Sequence, residues 1–114
     1  MYLGQDWTSY EVYATLTLPD VGMLEEDCDE IVRRLQDVRC YCNDGMCGNV
    51  YNINDKLDWL YDAEIGDDLK PVMRGCFDCY FSVIDAESVD CLKTDLSSIA
   101  NEFGLKLETE THIQ

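Results

Sequence analysis

NDKLDWLYDAEIGDDLKPVMRGCFDCYFSVID, residues 54–85, is the stretch on which the fold turns. Its two halves read differently. In the second half Phe77, Cys79, Phe81 and Val83 alternate with Asp78, Tyr80 and Ser82. That is the period-2 pattern of a half-buried strand, rich in the aromatic and β-branched residues that strands favour. In the first half Leu57, Leu60 and Tyr61 fall at i, i+3 and i+4, behind Asn54 or Asp55 as a cap and ahead of Gly66 as a stop. This spacing predicts a short helix. GDDLKPVMRG, residues 66–75, carries glycine and proline punctuation and reads as a loop.

Upstream, the arms VRCYC and MCGNVYNI flank Asn43-Asp44-Gly45 and predict a hairpin over residues 38–53, because Asp-Gly suits the positive dihedrals of a tight turn. Before it, MLEEDCDEIVRRLQDV places Leu24, Cys28, Ile31, Val32 and Leu35 at helical spacing. Its acids come early and Arg33 and Arg34 late, as the helix dipole prefers. Asp20 is expected to cap it. YEVYATLTL, residues 10–18, puts Val12, Ala14, Leu16 and Leu18 on one face of a strand. Downstream, Asp85 precedes AESVDCLKTDLSSIANEF, whose stripe is Val89, Leu92, Leu96, Ile99, Ala100 and Phe103, and Gly104 stands where a helix C-terminus wants glycine. In LKLETETHI, Leu105, Leu107, Thr109, Thr111 and Ile113 face one way, and Lys106, Glu108, Glu110 and His112 the other.

This order of elements predicts an α+β fold: a ferredoxin-like split βαβ sandwich, in which two long helices cover one face of an antiparallel sheet. One domain, residues 1–114, would carry a central hairpin and short-helix insertion at approximately 43–75.

Charge narrows the function. There are 24 Asp and Glu against 8 Lys and Arg, a formal net charge of -16. Such a surface repels phosphate backbones and anionic membranes, so neither direct nucleic-acid binding nor membrane binding is expected. Its natural partners are cations and basic protein surfaces. MYLGQDWTSYEV has neither a basic start nor an apolar run, and no segment reaches transmembrane length, so a cytoplasmic location is expected.

The seven cysteines admit three readings. Cys42-x4-Cys47 with Cys76-x2-Cys79 has the ligand type and in-pair spacing of a zinc site, but residues three apart on a strand point to opposite faces, which turns Cys76 away from Cys79. A Cys42–Cys47 disulfide across the hairpin conflicts with a reducing compartment. Plain thiols remain, with Cys28, Cys79 and Cys91 as small core residues. No cofactor is expected, and zinc is the alternative.

Nor does a catalytic constellation stand out. The single histidine, His112, lies on the polar face of its strand, and neither a phosphate-binding glycine loop nor an EF-hand pattern occurs. The chain is read as a non-enzyme.

The acids are therefore the candidate site. Glu25, Glu26, Asp29 and Glu30 line the first helix, and Asp55, Asp58, Asp62, Glu64, Asp67 and Asp68 follow with Trp59 and Tyr61 interleaved. Carboxylates fixed a few ångströms apart imitate a phosphate backbone, and aromatics add contact energy. The expected function is a nucleic-acid mimic that inhibits a DNA- or RNA-binding enzyme by occupying its basic groove. In size and charge the chain resembles the small acidic inhibitors that phages use against CRISPR or restriction systems; that resemblance implies an anti-CRISPR or anti-restriction viral protein acting in host cytoplasm. The alternatives are an intracellular ferredoxin-like regulatory or ligand-binding module, able to form a homodimer through a sheet edge or helix face, and a zinc-stabilised adaptor.

Overall fold

The structure, a computed structural model, describes residues 10–38, 51–83 and 86–113. In chain order the elements are β1 (Tyr10–Thr17), β2 (Met23–Leu24), α1 (Glu25–Gln36), β3 (Tyr51–Ile65), β4 (Asp68–Val83), α2 (Ala86–Phe103) and β5 (Lys106–Ile113). The five strands form one antiparallel sheet, and with the two helices they make an α+β fold. β4 is its spine. β1 pairs with residues 76–83 of β4, two-residue β2 continues along the same edge at Val72 and Met73, and β3 follows the other edge from end to end. β5 pairs with the far side of β1.

The first half of the 54–85 stretch is thus a strand, not a helix, and residues 68–75 are its partner rather than a loop. The i, i+3, i+4 coincidence of Leu57, Leu60 and Tyr61 concealed a period of two: Tyr51, Ile53, Leu57, Trp59, Tyr61, Ala63 and Ile65 are all odd-numbered. An isolated helix of this length is marginal in water. The strand instead satisfies its backbone along a continuous ladder to β4, broken once by an irregularity between Trp59 and Tyr61. Gly66 and Asp67 make the turn between paired Ile65 and Asp68, and Gly66 sits at φ +64, the left-handed region a tight hairpin requires. Residues 51–75 therefore belong to the main sheet and are no insertion. The hairpin predicted around Asn43-Asp44-Gly45 and the Asp85 cap lie outside the described residues. Asp20 does not cap α1, which begins at Glu25 with Leu24 extended at the cap position.

The remaining predicted elements lie near their expected positions, except that Met23 and Leu24, assigned to the first helix, pair with Met73 and Val72 as β2, and the helix starts at Glu25. β1 buries Val12, Ala14 and Leu16, which pair across the ladder with Phe81, Cys79 and Phe77 of β4 and so share their face. Onto that face pack Cys28, Ile31 and Leu35 of α1 and Val89, Leu92, Leu96, Ile99 and Ala100 of α2, in one cluster. Each large apolar side chain withdrawn this way contributes about 1.5–3 kcal/mol. The Leu105 N–H donates to the Ala100 carbonyl at 2.8 Å, closing α2 just beyond Gly104. Cys91, expected in the core, is exposed on the outer side of α2. The helices are also tied by Arg34, whose guanidinium donates two hydrogen bonds to Glu102, 2.7 and 2.6 Å, and lies 5.9 Å from the Phe103 ring centre. Among the described residues no helix is long and apolar enough to cross a membrane.

Candidate functional site

Beyond Gly75, β4 leaves β1, and the β3–β4 ribbon continues with only β2 beside it. At about 3.3 Å per residue, the 16 residues of β4 extend roughly 50 Å, about twice the length of β1. The outer arm of this ribbon is where the predicted acids collect. Asp58 pairs with Arg74 across the ladder. Past the irregularity, Asp62 and Glu64 pair with Pro71 and Leu69, which puts both carboxylates on one face about 7 Å apart. Asp67 occupies the turn and Asp68 the position opposite Ile65. Trp59 is 61% exposed and its Nε1–H donates to Asp62 Oδ1 at 3.1 Å, which fixes an aromatic ring beside a carboxylate. Tyr61, Ile65 and Leu69 are exposed on the same arm.

The start of α1 adjoins this arm. Lys70 Nζ lies 3.3 Å from both carboxylate oxygens of Glu26, and Leu24, Glu25, Glu26, Lys70 and Pro71 line a shallow depression between helix and ribbon. Glu25 and Glu26 thereby join the hairpin acids. Asp29 is exposed, and Glu30 is engaged by Arg33 one helical turn on, at 2.9 Å. Asp55 departs from the set: paired with Phe77, it sits on the helix-covered face of β3 rather than with Asp58. There it adds to the environment of Cys28, whose thiol is pushed up to about 11 by burial first and by Asp29, Asp27, Glu25 and Asp55 after it.

The cysteine alternative divides along β4. Cys79 is buried opposite Ala14, and burial pushes its thiol up to about 12, whereas Cys76 lies opposite Lys56 on the face away from the helices. The pair diverges as the strand phase requires. Cys42 and Cys47 lie outside the described residues. Among the described residues no three His, Cys, Asp or Glu side chains converge as a metal-binding group.

Sequence reasoning overlooked the sheet face away from the helices as a place for function. Ladder pairing sets Glu11, Tyr13 and Thr15 of β1 between His112, Glu110 and Glu108 of β5 and Ser82, Tyr80 and Asp78 of β4. The alternation in both terminal strands signalled this face; the neighbourhood of its residues depended on register, which the pattern alone does not fix.

No protein-family model matches the chain, and no curated protein matches its sequence.

Proposed function

We propose that the protein is an acidic inhibitor that acts as a nucleic-acid mimic and blocks the basic groove of a DNA- or RNA-binding enzyme, in the manner of phage-type anti-CRISPR or anti-restriction proteins. The observation that carries this reading is the hairpin arm. Along the arm, Asp58, Asp62, Glu64, Asp67 and Asp68 are five acids against two cations, Lys70 and Arg74, with Trp59 and Tyr61 exposed among them. A two-stranded ribbon is thin enough to enter a groove built for a nucleic-acid strand. Its carboxylates answer the Lys and Arg of that groove, and its aromatics supply desolvated contact.

A split βαβ reading of the fold accompanies the proposal. Leaving out two-residue β2, the long strands lie in the order β3-β4-β1-β5, with α1 between β1 and β3 in the chain and α2 between β4 and β5. That order and those two crossovers support the ferredoxin-like arrangement. In such a body the β3–β4 hairpin is an overlong central ribbon.

The test is a pull-down from a nucleic-acid-rich host lysate at two salt concentrations, with and without excess DNA or RNA. A basic nucleic-acid enzyme should be retained at low salt and displaced by salt and by nucleic acid. Retention indifferent to both refutes the mimic.

A further inference from the structure

The sheet face that no helix covers among the described residues is polarised. At one end Lys106, Thr17, Cys76 and Lys56 form a row across four strands. The next row holds Glu108, Thr15 and Asp78, and the next Glu110, Tyr13 and Tyr80; His112 and Glu11 complete the far end. Cations thus stand at one end of the strands, and carboxylates surround a pair of aromatic rings at the other. The rings of Tyr13 and Tyr80 are 5.1 Å apart at their centres and tilted by 50°, and His112 meets Tyr13 edge-on at 5.6 Å. Tyr13 remains 43% exposed.

Two shallow depressions open on this end and share the Tyr13 ring. One is bounded by Thr15, Glu108 and Glu110, the other by Glu11, Glu110 and His112. The Tyr80 hydroxyl donates to Glu11 at 3.1 Å, and His112 Nε2 lies 3.0 Å from Glu110 Oε1, so both carboxylates are held beside the rings. Glu108 forms no ion pair among the described residues. Each depression therefore offers an aromatic wall and two carboxylates, one of them shared.

We propose that this face binds an arginine side chain presented by a basic segment of a partner protein. A guanidinium is planar, stacks on an aromatic ring and donates in a fork that matches a carboxylate, whereas a lysine ammonium is a compact, strongly hydrated point charge. Charge complementarity selects the occupant: the surrounding carboxylates repel a nucleic-acid strand or a second copy of this acidic chain and attract a cation. The face lies on the body of the sheet, away from the hairpin arm, so the proposal stands or falls independently of the groove-blocking reading.

Fluorescence anisotropy on the full chain, with a labelled arginine-rich peptide and its lysine counterpart of equal length, tests it. The wild type should bind the arginine peptide about fivefold more tightly. Tyr13→Leu and Glu110→Gln, each shown folded by circular dichroism, should abolish that preference, while Asp67→Asn with Asp68→Asn at the hairpin tip should leave it in place. Equal affinity for the two peptides in the wild type overturns the proposal. So does a preference that survives both face substitutions, an RNA oligonucleotide that binds in competition with the peptide, or a homodimer in sedimentation that Glu110→Gln dissociates.

Discussion

Lys56 on β3 forms an ion pair with Asp78 on β4, with 2.5 Å between Nζ and Oδ2, although the two residues stand one ladder step apart diagonally. The Thr15 hydroxyl donates to the other carboxylate oxygen at 3.2 Å, so Asp78 is held from β3 and β1 together. The hydrogen bond from Lys56 is the largest influence and holds the Asp78 carboxyl below its ordinary range; burial opposes it, and the hydrogen bond from Thr15 and the Lys56 charge add smaller lowering effects. A carboxyl depressed in the folded state stabilises above its unfolded pKa, and that contribution is lost as pH falls through the folded value. Asp78→Asn should therefore lower the urea midpoint at neutral pH, and the gap to wild type should close in acid below the usual carboxylate range. A gap constant across that range would show that Asp78 matters only for shape.

Gly75 marks the point where the ribbon departs from the core. It lies at φ +127 within β4, and a Cβ there would collide with the Lys56 carbonyl oxygen of β3. Gly66, by contrast, has open space around its α-carbon and needs only its left-handed φ. Gly66→Ala should cost about 1 kcal/mol of unfolding free energy, the ordinary penalty for a side chain at positive φ. Gly75→Ala adds a clash with rigid backbone to a similar penalty and should cost more, about 2–4 kcal/mol. Equilibrium urea unfolding of the two variants checks the order. Equal losses would mean that the strands part easily at this point.

Burial predicts a second contrast. Leu92 is 1% exposed beneath α2, whereas Leu69 on the outer arm is 68% exposed. Leu92→Ala should destabilise by about 2–5 kcal/mol, since it removes buried methyl groups and leaves a cavity. Leu69→Ala should stay within about 0.5 kcal/mol, as exposed positions do. A large loss at Leu69 would show that the arm is covered in solution, by a partner or another copy. Thermal unfolding at two protein concentrations separates those cases.

The helices and β1 were legible in the sequence because each has one buried face and so carries a clear period. Val12, Ala14 and Leu16 repeat at two, and Val89, Leu92, Leu96 and Ile99 at the helical spacing, and all are buried. The outer hairpin was not legible for the converse reason. Trp59, Tyr61, Ile65 and Leu69 are exposed, so no core imposes contrast between its faces, and the irregularity between Trp59 and Tyr61 shifts the phase midway. The Ile65-Gly66-Asp67-Asp68 turn was the available signal, because Gly-Asp between apolar runs is a hairpin connection. Likewise the acids were visible as composition, but only register separates Asp55, opposite Phe77, from Asp58, opposite Arg74.

Position along the ribbon, not face, decides which carboxylates belong in one set of substitutions. Asp58, Asp62, Asp67 and Asp68 all lie on the ribbon beyond the reach of β1, all are exposed, and none is held in an ion pair among the described residues. Reversing the four to lysine moves the formal net charge from -16 halfway to neutral and removes much of the arm's own repulsion. The folded protein should therefore be no less stable, with a melting temperature unchanged or slightly raised. Its retention of a basic nucleic-acid enzyme should fall by at least about tenfold at low salt, and the salt dependence of what remains should be shallower, because fewer charge contacts are broken when ions are added. The same four reversals paired instead with Glu25 and Glu26 should add little further loss if the arm is the principal contact. Undiminished retention by the folded quadruple variant would remove the arm from the interface, and retention then lost on reversing Glu25, Glu26 and Asp29 would transfer the mimicry to α1.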